Sequence, residues 1–290
     1  MLLSNKVKII KNIFVIFIWF FIVQAGFAAS SKTIRFAQLT DIHYLPQDVK
    51  TQSARAIAGS DKNLYFAVNS INKQDVNFTV FLGDNIDKSN SDNLEGFLKL
   101  ANNIASPYYL VLGNHDVHKI GGITKEDYMT LVRKYNKNQK SPLPYYVFKP
   151  NNDILCVVMD GATPFAPSKH GVYTEEKVNW LDSLLTKNSK KIVLIFQHFP
   201  LLPPTDNVSH SALESDDYMD LLIKHQNIAL ISSGHYHSDR VQVDDDGIYH
   251  ISVPALVNTP STYEVVNFKY KKYNGKGRPD FKIDIERIKL

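Results

Sequence analysis

Apolar residues in this chain come in short runs that stop abruptly at glycine or a polar cluster. The runs at 33–39, 78–82, 108–112, 145–148, 154–159, 192–197 and 228–231 are rich in aromatic and β-branched residues and predict buried strands. Between them the spacing turns helical. Leu64, Ala67, Val68 and Ile71 share one face after a Ser60 cap. Leu94, Phe97, Leu98 and Ala101 do so after Ser91 or Asp92. Thr124 and Asp127 form a capping pair for a helix near 125–135. Thr174 opens another, with Val178, Leu181 and Leu185 along one face and Trp180 beside it, and 216–225 reads as a short helix. Beyond residue 240 the character changes. Strands at 240–243, 248–253, 263–270 and 281–288 are joined by Asp244-Asp245-Asp246-Gly247 and Asn274-Gly275-Lys276-Gly277, which are hairpin signals rather than crossovers. A chain that runs β-α-β and then antiparallel predicts an α/β fold with one mixed sheet or two packed ones. There is no internal repeat or linker, so residues 29–290 are expected to form one domain.

Composition adds a leader and removes some function classes. Lys6, Lys8 and Lys11 precede an unbroken apolar run at 13–23, and Gln24-Ala25-Gly26-Phe27-Ala28-Ala29 follows with small residues suited to cleavage after Ala28. Residues 1–28 therefore read as a signal peptide, with a retained membrane anchor as the alternative. The expected location is secreted or periplasmic, or membrane-anchored if the leader stays. Those three lysines account for most of the net charge of +4, leaving about +1. That balance, with no basic run interleaved with aromatics, argues against a polyanion-binding surface, and no nucleic-acid-binding surface is evident. Cys156 is the only cysteine, so stability must come from packing or bound metal.

The chemistry gathers where the strands end. Five ends carry Asp41-x-His43, Gly83-Asp84-x-x-Asp87, Gly113-Asn114-His115-Asp116, His198 and Gly234-His235-x-His237. In open α/β sheets, ligands bind at the carboxyl ends of strands. Gly113 is expected to allow a tight turn. Asp-x-His and His-x-His, if extended, put side chains i and i+2 on one face, where both can reach one ion. Imidazole, carboxylate and amide oxygen together suit Mn, Fe or Zn, whereas an all-oxygen Mg or Ca cage would not use so many histidines. Seven donors exceed the needs of one ion. Two ions sharing a carboxylate would use them all, and such a pair is a recurrent device for phosphate-ester hydrolysis.

These five blocks, in this order, resemble the calcineurin-like metallophosphoesterases over most of the chain. The resemblance implies two packed mixed β-sheets flanked by helices. It also implies a dinuclear centre, with Asp41, His43 and His237 on one metal, Asn114, His198 and His235 on the other, and Asp84 bridging. His115 matches the general acid and Asp87 the carboxylate that orients it. The implied activity is hydrolysis of small-molecule or lipid phosphomonoesters or phosphodiesters by attack of a metal-bound hydroxide. Gln197-His198 stands where many members have Gly-His, which spares the ligand. Lys88 stands where the phosphoprotein phosphatases have Arg, and loses the bidentate fork for phosphate. Ile86 and Asp87 occupy the region where purple acid phosphatases carry a tyrosine ligand. Gln38-Leu39-Thr40 before Asp41 leans toward the branch of bacterial cyclic-nucleotide phosphodiesterases and acid sphingomyelinase-like enzymes. The alternative function is a catalytically silent metal-binding scaffold.

Asp116 reads as a local pairing residue outside the site. His118, His170, His210, His225 and His250 fit no block, and Tyr44 and Tyr236 adjoin ligands but are equally suited to packing. Substrate choice is expected to lie in residues 200–215, a loop by composition, and 121–144.

Overall fold

The computed structural model describes residues 31–46, 57–118, 120–163, 169–213 and 215–290. The leader lies outside them. Among the described residues no helix is long and apolar enough to cross a membrane.

The elements run β1 (Ser31–Leu39), α1 (Ser60–Ile71), β2 (Phe78–Phe81), α2 (Ser91–Ala101), β3 (Tyr108–Leu110), α3 (Lys125–Tyr135), β4 (Tyr146–Phe148), β5 (Ile154–Val158), α4 (Glu175–Lys187), β6 (Ile192–Phe196), α5 (Asp216–Lys224), β7 (Ile228–Ser233), β8 (Arg240–Val243), β9 (Tyr249–Ser252), β10 (Thr262–Lys271) and β11 (Phe281–Lys289). They form two mixed sheets, ordered β11-β10-β1-β2-β3 and β4-β5-β6-β7-β9-β8. In the first, β1, β2 and β3 are parallel; in the second, β5, β6, β7 and β9 are.

The expected C-terminal hairpins both form, β8 with β9 and β10 with β11. The last third is not one antiparallel unit, however. The first hairpin joins the second sheet with β9 parallel to β7, and the other crosses to the first sheet with β10 antiparallel to β1. Two cap expectations also change. Gly59, with φ 93°, precedes α1, and Ser60 is instead buried with its hydroxyl accepting the Leu45 amide at 2.9 Å. Asn90 caps α2 by accepting the Asn93 amide at 2.8 Å. The Thr124–Asp127 capping box before α3 is present.

Strand alternation sorts the core. Phe36, Phe78, Val80, Phe148, Cys156, Leu194 and Phe196 fill the space between the sheets. Phe36 and Phe78 stack at 4.9 Å, and Phe36 meets Phe196 edge-on at 5.7 Å. Such pairs add about 0.5–1.5 kcal/mol each beyond area burial. On the outer faces, Ala37, Leu39 and Phe81 cluster with Leu64, Phe97 and Leu98 of the helices, and Val193 and Ile195 cluster with Leu181 and Leu221. The seven parallel strands all point their carboxyl ends to one edge of the sandwich, and the two sheets meet there.

One buried polar pair lies in this core. Gln38 and Glu264 are register partners on β1 and β10, both fully buried, and Gln38 Nε2 donates to Glu264 Oε2 at 2.7 Å. Burial, helped by Asp239 and opposed by Gln38 and Arg287, pushes Glu264 up to about 7. The unfolded chain releases this proton near the ordinary value of 4.5, whereas the folded chain holds it to about 7. Stability from this group is therefore complete below about 4.5 and lost as pH rises to about 7. Glu264→Gln, which cannot ionise, should raise the melting temperature over wild type more at pH 8 than at pH 5. An equal effect at both would refute the buried-acid reading.

Candidate active site

The candidate residues follow the carboxyl ends of β1 (Asp41, His43), β2 (Asp84, Asp87), β3 (Asn114, His115), β6 (His198) and β7 (His235, His237). None of the paired donors is extended. Asp41, His43, Asp84, His235 and His237 all have positive φ, between 46° and 69°, and they are the only non-glycine residues that do among the described ones. This left-handed conformation costs on the order of 1 kcal/mol or more per residue and persists where the surroundings over-determine it. The i, i+2 reasoning is thereby corrected. Asp41 and His43 do join one cluster, but His235 and His237 go to different ones, because the left-handed turn sends their rings apart.

Three donor groups result among the described residues, one of them formed by His43, Asp87 and His115; the other two hold the expected ligands. In one, single ligand atoms of Asp41, His43 and His237 lie within 4.8 Å of one another; in the other, those of Asp84, His198 and His235 do. Asp84 Oδ2 lies between them, 3.4 Å from His198 Nε2 and 3.7 Å from His43 Nε2. Asp41 Oδ1 is 3.1 Å from His237 Nε2 and 4.0 Å from His43 Nε2. Ligand atoms about 2.1 Å from a shared ion sit roughly 3–3.5 Å apart, which matches the shorter of these separations. The other carboxylate oxygens are held back from the centre. Asp41 Oδ2 accepts Thr40 Oγ1 at 2.8 Å and the His235 amide at 2.9 Å, and Asp84 Oδ1 accepts the His115 amide at 2.8 Å.

The histidine hydrogens are also fixed from behind. His198 Nδ1 donates to the Leu82 carbonyl at 2.7 Å, and His235 Nε2 donates to the Lys169 carbonyl at 2.7 Å. Their lone pairs therefore face the centre from Nε2 and Nδ1 respectively, the arrangement that carbonyl partners impose on metal-binding histidines. His43 has its Nδ1 3.5 Å from Asp87 Oδ1. Asp41 Oδ1, Asn114 Oδ1 and His198 Nε2 are buried without a hydrogen bond. Burial pulls His198 down, but Asp84, then Asp41, overrides it and lifts the ring to about 9. Burial and the neighbouring His198 drive His235 down to about 4. Burial opposes charge on Asp41 and Asp84, yet His237 and His198 respectively hold both well below the usual carboxylate range. Buried anions beside orphaned acceptors call for cations, so the donor set fits two borderline metal ions.

Asp87 sits beside His115 as expected, its carboxylate forming with the His43 and His115 rings a group whose ligand atoms lie within 4.8 Å of one another. His115 Nδ1 meets the Asp87 main-chain carbonyl at 3.1 Å, while the carboxylate turns to His43. Asp87 thus orients His115 through its backbone. The expected turn follows Gly113, whose carbonyl accepts the Asp116 amide at 3.4 Å, but its φ is not positive, and a Cβ there would fall on Asp84, so close approach is what demands glycine. Asp116 does more than pair locally. Fully buried, it accepts from the Asn85 and Ile86 amides at 2.8 and 3.1 Å with Oδ1, and from the Gly113 amide and Asn85 Nδ2 at 2.8 and 3.0 Å with Oδ2. It brackets the Asp84 loop to the Asn114 loop. Burial, then Asp84, pushes it up to about 7. Its signal in the sequence was only its place after His115.

Two cavities open beside the centre. One of about 350 Å³ is lined by Asp84, His235, His237, Tyr236, Thr205, Asn207 and His210. The Tyr236 hydroxyl donates to the Asn207 carbonyl at 2.8 Å and ties the 200–213 loop to the site. The other, about 450 Å³, is lined by residues including Asp87, Lys88, Asn114, His115, His118 and Gly121. Of residues 200–215, Thr205, Asn207 and His210 border the centre. Of 121–144, the Gly121–Gly122 start does so, while α3 turns Tyr128, Met129 and Val132 into the core.

The calcineurin-like phosphoesterase profile matches residues 34–239. The chain is 22% identical over 289 residues to a manganese-dependent ADP-ribose/CDP-alcohol diphosphatase of Arabidopsis thaliana, covering 81% of this chain and 90% of the relative. It is 26% identical over 216 residues to a probable glycerophosphodiester phosphodiesterase of Arcobacter nitrofigilis, covering 69% and 70%. Its fold matches the crystal structure of a dimetal phosphatase from Danio rerio at a TM-score of 0.68 and 18% identity, over 86% of this chain and 98% of that one.

Because both Asp116 oxygens only accept, an amide there must set its NH₂ against a donor in either orientation. Asp116→Asn is expected to destabilise the chain by roughly 3 kcal/mol and to lower bound metal in step. Thermal melts and elemental analysis check this. Full metal content with a wild-type melt would show that the bracket is dispensable.

Proposed function

The chain belongs to the calcineurin-like phosphoesterase family, a dinuclear metal-dependent family of phosphoester hydrolases, and we propose that it cleaves small molecules whose phosphorus is substituted on both sides, as in diesters and diphosphates. The observation that carries this reading is the pair of cavities that border the donor centre, one along Asn114 and His115 and one along Asp84, His235 and His237, which offers room for a substituent on each side of a phosphoryl group. A monoester would use one. The relatives named above, a diphosphatase and a probable diesterase, lend it support.

Asp41, His43 and His237 would hold one ion, and Asn114, His198 and His235 the other, with Asp84 Oδ2 shared. Bound there, the ions would neutralise phosphoryl oxygens and make a hydroxide available near neutral pH. The rest of the task falls to the chain. The Leu82 and Lys169 carbonyls hold the lone pairs of His198 and His235 inward. The Asp87 carbonyl takes the Nδ1 hydrogen of His115, so a protonated ring offers its second hydrogen at Nε2 to the departing oxygen. We place the mature protein outside the cytoplasm, beginning near Ala29, on the lysine-led apolar run and small residues of the leader.

The manganese-loaded chain should hydrolyse bis-p-nitrophenyl phosphate faster than p-nitrophenyl phosphate. The reverse order would overturn the two-sided reading, and inactivity on both with two metals bound would favour a silent scaffold. His115→Asn should keep its metal. Its turnover should fall about 10²–10⁴-fold on an alkyl leaving group, which needs a proton, and less on p-nitrophenolate, which hardly does. Parallel loss of metal would make His115 a ligand. Amino-terminal sequencing of protein purified from the expressing cell should read from near Ala29, and an intact leader on membrane-bound protein would refute cleavage.

A further inference from the structure

The two cavities differ in charge. The one beside Tyr236 has no lysine or arginine in its lining. The one beside His115 has Lys88 and His118. Lys88 is exposed, and among the described residues no carboxylate or carbonyl takes up its ammonium. The single carboxylate lining that cavity belongs to Asp87, and it faces His43 at 3.5 Å. His118 accepts the Ile120 amide on Nδ1 at 3.1 Å, so its ring hydrogen is on Nε2. This wall is therefore a set of donors with no acceptor assigned to them. A volume of about 450 Å³ accommodates a phosphate with an attached sugar-sized group.

We propose that Lys88 and His118 form an anion subsite for the leaving group, and that the linkage preferred here is a diphosphate. The assignment rests on the functional reading above. His115 fixes the direction: the leaving group departs toward the residue that protonates it, and that residue opens on the basic cavity. Water oxygen bonds to phosphorus and gives up a proton to solvent, the bridging P–O bond breaks with its electron pair passing to the leaving oxygen, His115 gives that oxygen its Nε2 proton, and the second phosphate departs into the Lys88 cavity. There an unpaired ammonium and an imidazole N–H meet its charge. The cavity beside Tyr236, which has no lysine or arginine in its lining, keeps the other substituent. An uncharged leaving group gains nothing from Lys88, so the subsite acts on choice between substrates.

The test compares kcat/KM for ADP-ribose with kcat/KM for bis-p-nitrophenyl phosphate on the manganese-loaded full chain. Lys88→Gln should lower the ratio of the two on the order of tenfold, chiefly through KM for ADP-ribose. Lys88→Arg should restore it. His118→Gln should lower it in the same direction. In wild type, KM for ADP-ribose should rise with ionic strength, and Lys88→Gln should flatten that dependence. An unchanged ratio in Lys88→Gln, or turnover of bis-p-nitrophenyl phosphate with none of ADP-ribose, overturns the subsite and leaves the functional reading standing. No turnover of either by wild type overturns the functional reading itself.

Discussion

Two carboxylates buried at the meeting point of the sheets set the terms for the rest of this molecule. Asp41 and Asp84 approach His43 Nε2 from two directions, at 4.0 and 3.7 Å, with almost no access to water. Charge buried in this way is tolerated only with compensation close by. Against the pull of burial, the negative charge of Asp84 beside His198 raises that ring, a sign of how strongly this pocket favours positive charge. Two cations would supply it. Asp84 Oδ2 lies within 3.7 Å of a histidine of each group, so the two donor groups cannot be treated as separate sites.

Holding this arrangement takes structure behind the ligands. Each carboxylate has one oxygen tied by an amide or hydroxyl and one turned inward. Two of the rings are locked by carbonyls, and the Asp87 carboxylate backs a third. Asp116 joins the loops that carry Asp84 and Asn114. The strained backbone at five ligands is the local cost of turning these donors inward, and the parallel strands beneath them are rigid enough to sustain it. Much of the sandwich core thus bears on the centre through the strands it holds in register.

The surroundings of the centre are less symmetric than its ligands. On one side the 200–213 loop is strapped to Tyr236; on the other, Lys88 and His118 line a wall next to His115. Chemistry at phosphorus depends on the ligands, which are arranged as a near-pair. Choice among substrates depends on these flanks, which are not.

Much of the architecture was legible in the chain because its causes are local. Strand runs, helical spacing, the Thr124–Asp127 box and both glycine-bearing hairpins fall where periodicity and turn chemistry place them. The donors could be found because each interrupts an apolar run at its end. What sequence could not decide depends on backbone direction and on neighbours far along the chain. The left-handed turn that separates His235 from His237, the turn of the Asp87 carboxylate to His43, the Asp84 atoms that forbid a side chain at Gly113, and the four donors converging on Asp116 are of this kind. Spacing along a strand states which residues reach the edge of a sheet. Only the packing of two sheets, with the φ angles it enforces, determines which of them then face each other.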